Sequence, residues 1–190
     1  MKYILGVIGV VVLAIIAIAL LLRSPAPNNG QKPGGKPAVK LADFSSDTGS
    51  NVTWTMQGPV EGQDQRRSVR ITVSPNERRL EILAGYEESV ERTQTFSNNT
   101  QAYETFIQAL NNAGFARERD VPLKDERGVC PLGNRFIYEL RDDGDQKLRT
   151  WSASCNTAAG PFAGNALLTR QLFQRQIPDY NKQVRDVNLF

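Results

Sequence analysis

Residues 68–84 read SVRITVSPNERRLEILA, and this segment gives the clearest indication of the architecture. Apolar side chains occupy every second position on both sides of a central turn sequence, Ser74-Pro75-Asn76-Glu77. They are Val69, Ile71 and Val73 before the turn, and Leu80, Ile82 and Ala84 after it. A period of two with one polar face is typical of antiparallel strands that pack one side on a core. The segment therefore predicts a β-hairpin.

The same alternation appears elsewhere in the chain, in residues 52–56, 88–96, 136–140 and 148–154. A helical period replaces it in one segment, where apolar residues recur at i, i+3, i+4 and i+7: Tyr103, Phe106, Ile107 and Leu110. Asn98 or Asn99 can cap the start of this helix, and Gly114 is a suitable left-handed stop.

A second helix is predicted from about Asn165 to Ile177, with Pro178 ending it. Strands grouped in hairpins, with two separate helices, indicate the α+β class. We expect a mainly antiparallel sheet of about six strands with two helices on one face, preceded by one transmembrane helix.

Residues 3–22 form one uncharged and almost wholly apolar run. Twenty residues at about 1.5 Å each give roughly 30 Å of helix, which matches the hydrocarbon core of a bilayer. A cleavable signal peptide is the alternative, but Ala17-Ile18-Ala19 lies inside the run and Pro27 follows Ser24-Pro25-Ala26. We therefore predict an uncleaved anchor over residues 1–23 that contacts the lipid bilayer through residues 3–22.

Residues 24–40 contain four prolines and three glycines and almost no apolar bulk, which is typical of a disordered tether. The predicted organisation is an anchor over 1–23, a tether over 24–43 and an α+β domain over 44–190. Beyond residue 40 there are eighteen basic and twenty acidic residues, a net charge of −2. A nucleic-acid binder normally has a basic face, so we expect no nucleic-acid partner.

Cys130 and Cys155 are the only cysteines in the chain. They flank a predicted hairpin whose turn, Asp143-Gly144, suits the type I′ geometry with positive φ at both central residues. Counting back from this turn places Cys155 one diagonal step from Cys130 on one face. The hairpin therefore predicts a Cys130–Cys155 disulfide, with a pair of reduced core thiols as the alternative.

The same count pairs Phe136 with Trp151 and puts both on the face that carries the cysteines. A disulfide places the domain in an oxidising compartment outside the cytoplasm. The basic residues after the anchor argue for the opposite orientation under the positive-inside rule, and we give the disulfide more weight.

The C-terminal part of the chain carries a set of short motifs: Cys130-Pro131-x-Gly133, Arg135 to Glu139, Trp151-Ser152-x-Ser154-Cys155, Leu172-Phe173, and Gln176-Ile177-Pro178-Asp179-Tyr180. In these motifs, over about the last 65 residues, the chain resembles a group of uncharacterised, single-span, membrane-anchored bacterial proteins. The resemblance implies an anchored extracytoplasmic domain, and it transfers no activity and no functional residue.

The chain contains no histidine, which excludes Ser-His-Asp and Cys-His catalysis and histidine-ligated zinc. Paired carboxylates remain conceivable for a hydrolase: Glu87, Glu88 and Glu91, and Asp142, Asp143 and Asp145. Solvated turns are the simpler interpretation of both clusters. Arg135, Arg141 and Arg149 suit the recognition of carboxylate or phosphate, but we favour ordinary surface pairing with Glu139 and the aspartates.

No catalytic residue, cofactor or metal site is predicted from these observations. The preferred hypothesis is a membrane-anchored, extracytoplasmic, non-catalytic binding or interaction domain with an unidentified protein or envelope ligand. Two alternatives remain: a cell-envelope hydrolase that uses paired carboxylates, and a protease-inhibitor-like module that presents residues 156–164 rigidly after the disulfide.

Overall fold

A computed structural model of the protein describes residues 39–123 and 125–187, and these contain one six-stranded sheet. The strands are β1 (Ser50–Gln57), β2 (Arg67–Val73), β3 (Glu77–Ala84), β4 (Ser89–Ser97), β5 (Arg135–Asp142) and β6 (Asp145–Ala153). Every neighbouring pair is antiparallel, and the order across the sheet is β4-β3-β2-β1-β5-β6. Hairpins connect consecutive strands except β4 and β5, between which the first helix lies.

Two main helices accompany the sheet. The elements are α1 (Thr100–Ala113), α2 (Ala166–Gln174), a single turn α3 (Tyr180–Gln183) and a 3-10 helix at Leu41–Phe44. Asn99 caps α1 by accepting a hydrogen bond from the Ala102 amide at 2.9 Å, and Gly114 ends it with φ of 78°. Asn165 caps α2 in the same way.

The helix α2 ends three residues before the predicted position. Tight i to i−3 hydrogen bonds, from the Gln176 amide to Phe173 O and from the Ile177 amide to Gln174 O, replace regular helical turns there. The resulting turn still buries Ile177 in the core. The residue preceding a proline disfavours helical backbone, which explains why the helix ends before Pro178.

The main hydrophobic core lies between one face of the sheet and the two helices. Its largest fully buried members are Trp54, Tyr103, Tyr138, Phe115, Phe162 and Phe173. The ring of Phe173 on α2 lies at the centre, 6.5 Å from Trp54, 5.2 Å from Phe106 and 6.0 Å from Phe115 between centroids. The α+β class, the antiparallel sheet of six strands and the two covering helices are therefore confirmed.

The predicted register of the β5–β6 hairpin is wrong by one residue. Asp143 and Gly144 form the turn with positive φ at both positions, as expected. A β-bulge near Leu140 then leaves Lys147 unpaired, so Phe136 lies opposite Ser152. Since a one-residue shift moves a side chain to the other face, Trp151 lies on the face opposite to Phe136.

Trp151 belongs to a second, smaller hydrophobic cluster on the face away from the helices. The other buried members are Cys130, Ile137 and Ala153. The loop after β6 covers this cluster so closely that a Cβ at Gly160 would lie 2.1 Å from the carbonyl oxygen of Trp151. This part of the sheet is therefore covered on both faces.

The chain joins the fold through the 3-10 helix. Leu41 is buried in the main core and Val39 packs against it. Residues 3–22, the predicted membrane anchor, lie outside the described residues. Within residues 39–123 and 125–187, no helix is both long and apolar enough to cross a bilayer.

Candidate functional site

A disulfide between Cys130 and Cys155 closes the open end of the β5–β6 hairpin, with the two Cα atoms 5.9 Å apart. The predicted cysteine pairing is thus confirmed, although the register used to derive it was not. Cys130 to Gly133 form the turn that brings the thiols together, with the Gly133 amide donating to Cys130 O at 3.0 Å. A Cβ at Gly133 would lie 2.6 Å from Cys130 Sγ, so the turn needs glycine there.

The segment 125–134 is held in place by more than the disulfide. The Asn134 amide donates to Ser154 Oγ, and the Ser154 amide donates to Asn134 O, both at 2.9 Å. At its other side, the Val60 amide donates to Pro131 O at 2.7 Å. The disulfide loop therefore links β6 to the connection between β1 and β2.

A cavity of about 580 Å³ opens where these segments meet, at the end of the sheet where β1 ends and β5 begins. We call it the arginine pocket. It is lined by Gln57, Val60, Arg66, Tyr86, Glu126, Arg127, Gly128 and Arg135. The lining thus comes from the end of β1, the β1–β2 connection, the β3–β4 turn, segment 125–134 and the first residue of β5.

Arg66 is 5% exposed although it carries a full charge. Its guanidinium carbon lies 4.3 Å from the centroid of the Tyr86 ring, which is a favourable cation–π geometry. Its Nε is buried and has no hydrogen-bond partner. Two backbone hydrogen bonds of 3.0 Å hold this residue in place. The Arg66 amide donates to Gly62 O, and the Gly85 amide donates to Arg66 O.

Arg135 is 3% exposed and pairs with Gln57 across β1 and β5. Its Nη2 donates to Gly58 O, while its Nε is buried and unpartnered. Burial lowers the pKa of Arg135 below its ordinary value, and the neighbouring positive charge of Arg66 lowers it further. The environment therefore disfavours the charge that this side chain carries.

No carboxylate of the described residues lies within 4.0 Å of the guanidinium of Arg66 or Arg135. Glu126, which also lines the pocket, is bonded through Oε1 to Arg149 at 2.5 Å, while its Oε2 is buried without a hydrogen-bond partner, so its single charge offsets the two arginines only in part. Burying an unpaired charge is costly, and an anionic partner removes much of that cost. The pocket therefore has the electrostatic character of an anion site.

A second, open groove of about 680 Å³ lies on the same face of the sheet, and its floor includes Thr53 and Thr72. Its arginines differ from those of the pocket in having carboxylate partners in the described residues: Arg70 with Glu81 and Glu88, Arg79 with Glu77, and Arg141 with Glu139. Because these charges are already balanced, the groove attracts an anion less than the arginine pocket does.

The two carboxylate clusters that we considered from sequence do not converge. Glu88 in the β3–β4 turn pairs with Arg70, and Glu91 near the start of β4 pairs with Arg67. Asp142 lies at the β5–β6 turn, at the opposite end of the sheet, 3.8 Å from Lys147. In the described part of the chain, no group of three or more histidine, cysteine, aspartate or glutamate side chains could hold a metal ion.

The expected surface pairing of hairpin arginines holds for two of the three. Arg141 and Arg149 lie 3.7 and 4.0 Å from Glu139. Arg135 instead enters the arginine pocket. Sequence reasoning missed Arg66 altogether, since a basic pair before a strand gives no sign that one member is buried.

Residues 156–164, predicted as a rigidly presented loop, are packed against the fold at their C-terminal half. Phe162 is buried in the main core and Gly160 lies against Trp151. The exposed part of the loop is confined to residues 156–158. A short exposed stretch offers little surface for a protease.

Comparison of the chain with protein-family models and with curated proteins finds no match.

Proposed function

We propose that this protein is a membrane-anchored, extracytoplasmic, non-catalytic binding domain whose ligand occupies the arginine pocket. The observation that carries the proposal is the pair of buried arginines, Arg66 and Arg135, that lack a carboxylate partner in the described residues. A fold that tolerates two such charges at one cavity gains free energy when a ligand neutralises them.

Three considerations support the proposed compartment. Disulfides persist in oxidising spaces, and Cys130 and Cys155 are joined. The apolar run over residues 3–22 is long enough to keep the chain in a bilayer. The resemblance of the C-terminal motifs to single-span, membrane-anchored bacterial proteins supports the same topology.

The position of the pocket suits a tethered receptor. Ser50, the first residue of β1, donates from Oγ to Phe44 O in the 3-10 helix at 2.8 Å. Gln57, at the other end of this eight-residue strand, lines the pocket. At about 3.3 Å per residue, these ends are roughly 25 Å apart. The described chain therefore enters the domain at the end of β1 away from the pocket.

Thermal unfolding of the full-length protein in detergent tests the proposal. The Tm is measured with and without small-molecule fractions extracted from the envelope of cells that produce the protein. At least one fraction is expected to raise the Tm, because a ligand that binds only the folded state stabilises it. The same fraction is expected to raise the Tm of the Arg135→Gln variant much less than that of the wild type. It is expected to raise the Tm of the Arg141→Gln variant, in which an arginine of the same strand is replaced, as much as that of the wild type.

Recovery of the ligand distinguishes binding from catalysis. A compound recovered unchanged after incubation supports a binding domain. Recovery of cleaved products would instead favour the envelope hydrolase. Equal stabilisation of wild type and Arg135→Gln by every active fraction would show that the ligand binds elsewhere.

A further inference from the structure

We infer that the ligand of the arginine pocket is an organic monoanion, a carboxylate carried on an apolar body. This inference rests on the proposed function and specifies the chemistry that the pocket recognises.

The anionic part follows from the donors. Arg66 and Arg135 each retain a buried Nε without a hydrogen-bond partner, and both side chains line the same cavity. Guanidinium groups match a carboxylate through pairs of parallel hydrogen bonds, and such charge-assisted bonds are stronger than neutral ones. Apart from its cation–π contact with Tyr86, the Arg66 side chain has no hydrogen-bond or ion-pair partner among the described residues, so its donors are available for a ligand.

A single negative charge fits the pocket better than two. The buried ionised side chains of the lining are Arg66, Arg135 and Glu126, with a formal sum of +1. Arg149 outside the lining contacts Glu126, and two further carboxylates, Glu139 at 4.0 Å and Asp125, also act on its charge, so Arg149 adds little to this sum. A monoanion brings the buried charge to zero, whereas a dianion such as hydrogen phosphate would reverse its sign.

The apolar part follows from the rim. Val60 and Tyr86 line the pocket and are each about half exposed, at 47% and 48%. Leu132, which follows the Pro131 carbonyl that accepts from Val60, is 90% exposed. Exposed apolar side chains beside a charged cavity indicate a ligand whose body is apolar and whose head is ionised.

Four probes separate these features: 3-phenylpropionate has both, acetate has the carboxylate alone, and 3-phenylpropan-1-ol has the apolar body alone. The fourth is inorganic phosphate, which is mainly a dianion when the buffer is held well above its second pKa. Isothermal titration uses the full-length protein in lipid nanodiscs, with empty nanodiscs as the blank. We expect 3-phenylpropionate to bind at least tenfold more tightly than each of the other three.

Variants locate the site. Arg66→Gln and Arg135→Gln are each expected to weaken 3-phenylpropionate binding at least tenfold, and Arg141→Gln is expected to change it less than threefold. Since a buried arginine can also matter for folding, Tyr86→Ala at the half-exposed rim provides a third variant. Its readout is the ratio of two carboxylate affinities, in which an effect on Arg66, the residue that Tyr86 contacts, cancels. This variant is expected to reduce the preference for 3-phenylpropionate over acetate to less than threefold.

The results separate this inference from the proposed function. Equal binding of 3-phenylpropan-1-ol and 3-phenylpropionate, or tighter binding of phosphate, would overturn the inferred ligand class while a binding function stands. Binding of no probe would also overturn it, and the envelope fractions then decide the function. Unchanged affinity in Tyr86→Ala and in both arginine variants would place the probe outside the pocket.

Discussion

Replacing both Cys130 and Cys155 by alanine is expected to lower the free energy of unfolding by about 3–4 kcal/mol. The bond closes a loop with a sequence separation of 25 residues. In the chain-entropy model, a loop of this length restricts the unfolded state by about 3.5 kcal/mol. Denaturant unfolding of a chain that begins at Val39 measures the loss as a lower midpoint.

Reduction provides the matched control for this variant. Dithiothreitol is expected to lower the stability of the wild-type chain by a similar amount and to leave the double alanine variant unchanged. A double variant within about 0.5 kcal/mol of the oxidised wild type would show that the disulfide adds no stability to the domain.

The second large effect is expected in the main core, where Phe173→Ala should cost about 3–5 kcal/mol. Phe173 is fully buried, and its ring contacts Trp54, Phe106 and Phe115. Removing the ring takes apolar surface out of the core and leaves a cavity between α2, α1 and the sheet. Phe173→Leu, which fills part of that space, is expected to lose clearly less.

Leu167 is the control on the same helix, because its side chain is 56% exposed. Leu167→Ala is expected to change stability by no more than about 0.5 kcal/mol. Equal losses for Phe173→Ala and Leu167→Ala would mean that α2 does not close the core in the way described.

The fold could be predicted to the extent that local signals agreed with packing. The alternation on both sides of Ser74 to Glu77 predicted a hairpin correctly, because one face of β2 and β3 is buried. The Asn99 cap and the Gly114 stop gave α1, because both depend on backbone groups within a few residues. The Asp143-Gly144 turn was predictable for the same reason, since positive φ is a local requirement.

The register beyond that turn was not predictable. A bulge leaves Lys147 unpaired and shifts the register of the strands beyond it. Whether such a bulge forms depends on the face of the sheet on which each aromatic side chain can be buried. Trp151 is buried in the second hydrophobic cluster, beside its cross-strand partner Ile137 and against Gly160. Nothing in the hairpin sequence shows that this cluster exists. The disulfide tolerates the shift because the turn from Cys130 to Gly133 bends toward Cys155.

The arginine pocket was predictable only in its chemistry. Arginine dominates the positive charge of the domain, fifteen residues against three lysines beyond residue 40, which favours recognition of a carboxylate or phosphate. Arg66 and Arg135 are 69 positions apart and meet only because β1 lies between β2 and β5. Such long-range placement depends on strand order, which local patterns do not specify.

Labelling of Cys130 and Cys155 on intact cells that produce the full-length protein tests the central claim most directly. The reagents are a membrane-impermeant maleimide and a membrane-impermeant phosphine reductant. We predict no labelling before reduction and labelling of Cys155, the exposed partner of the buried Cys130, after reduction and without lysis of the cells. Labelling that needs lysis but no reduction would place free thiols in the cytoplasm and would contradict a disulfide-linked domain on the outer side of the membrane.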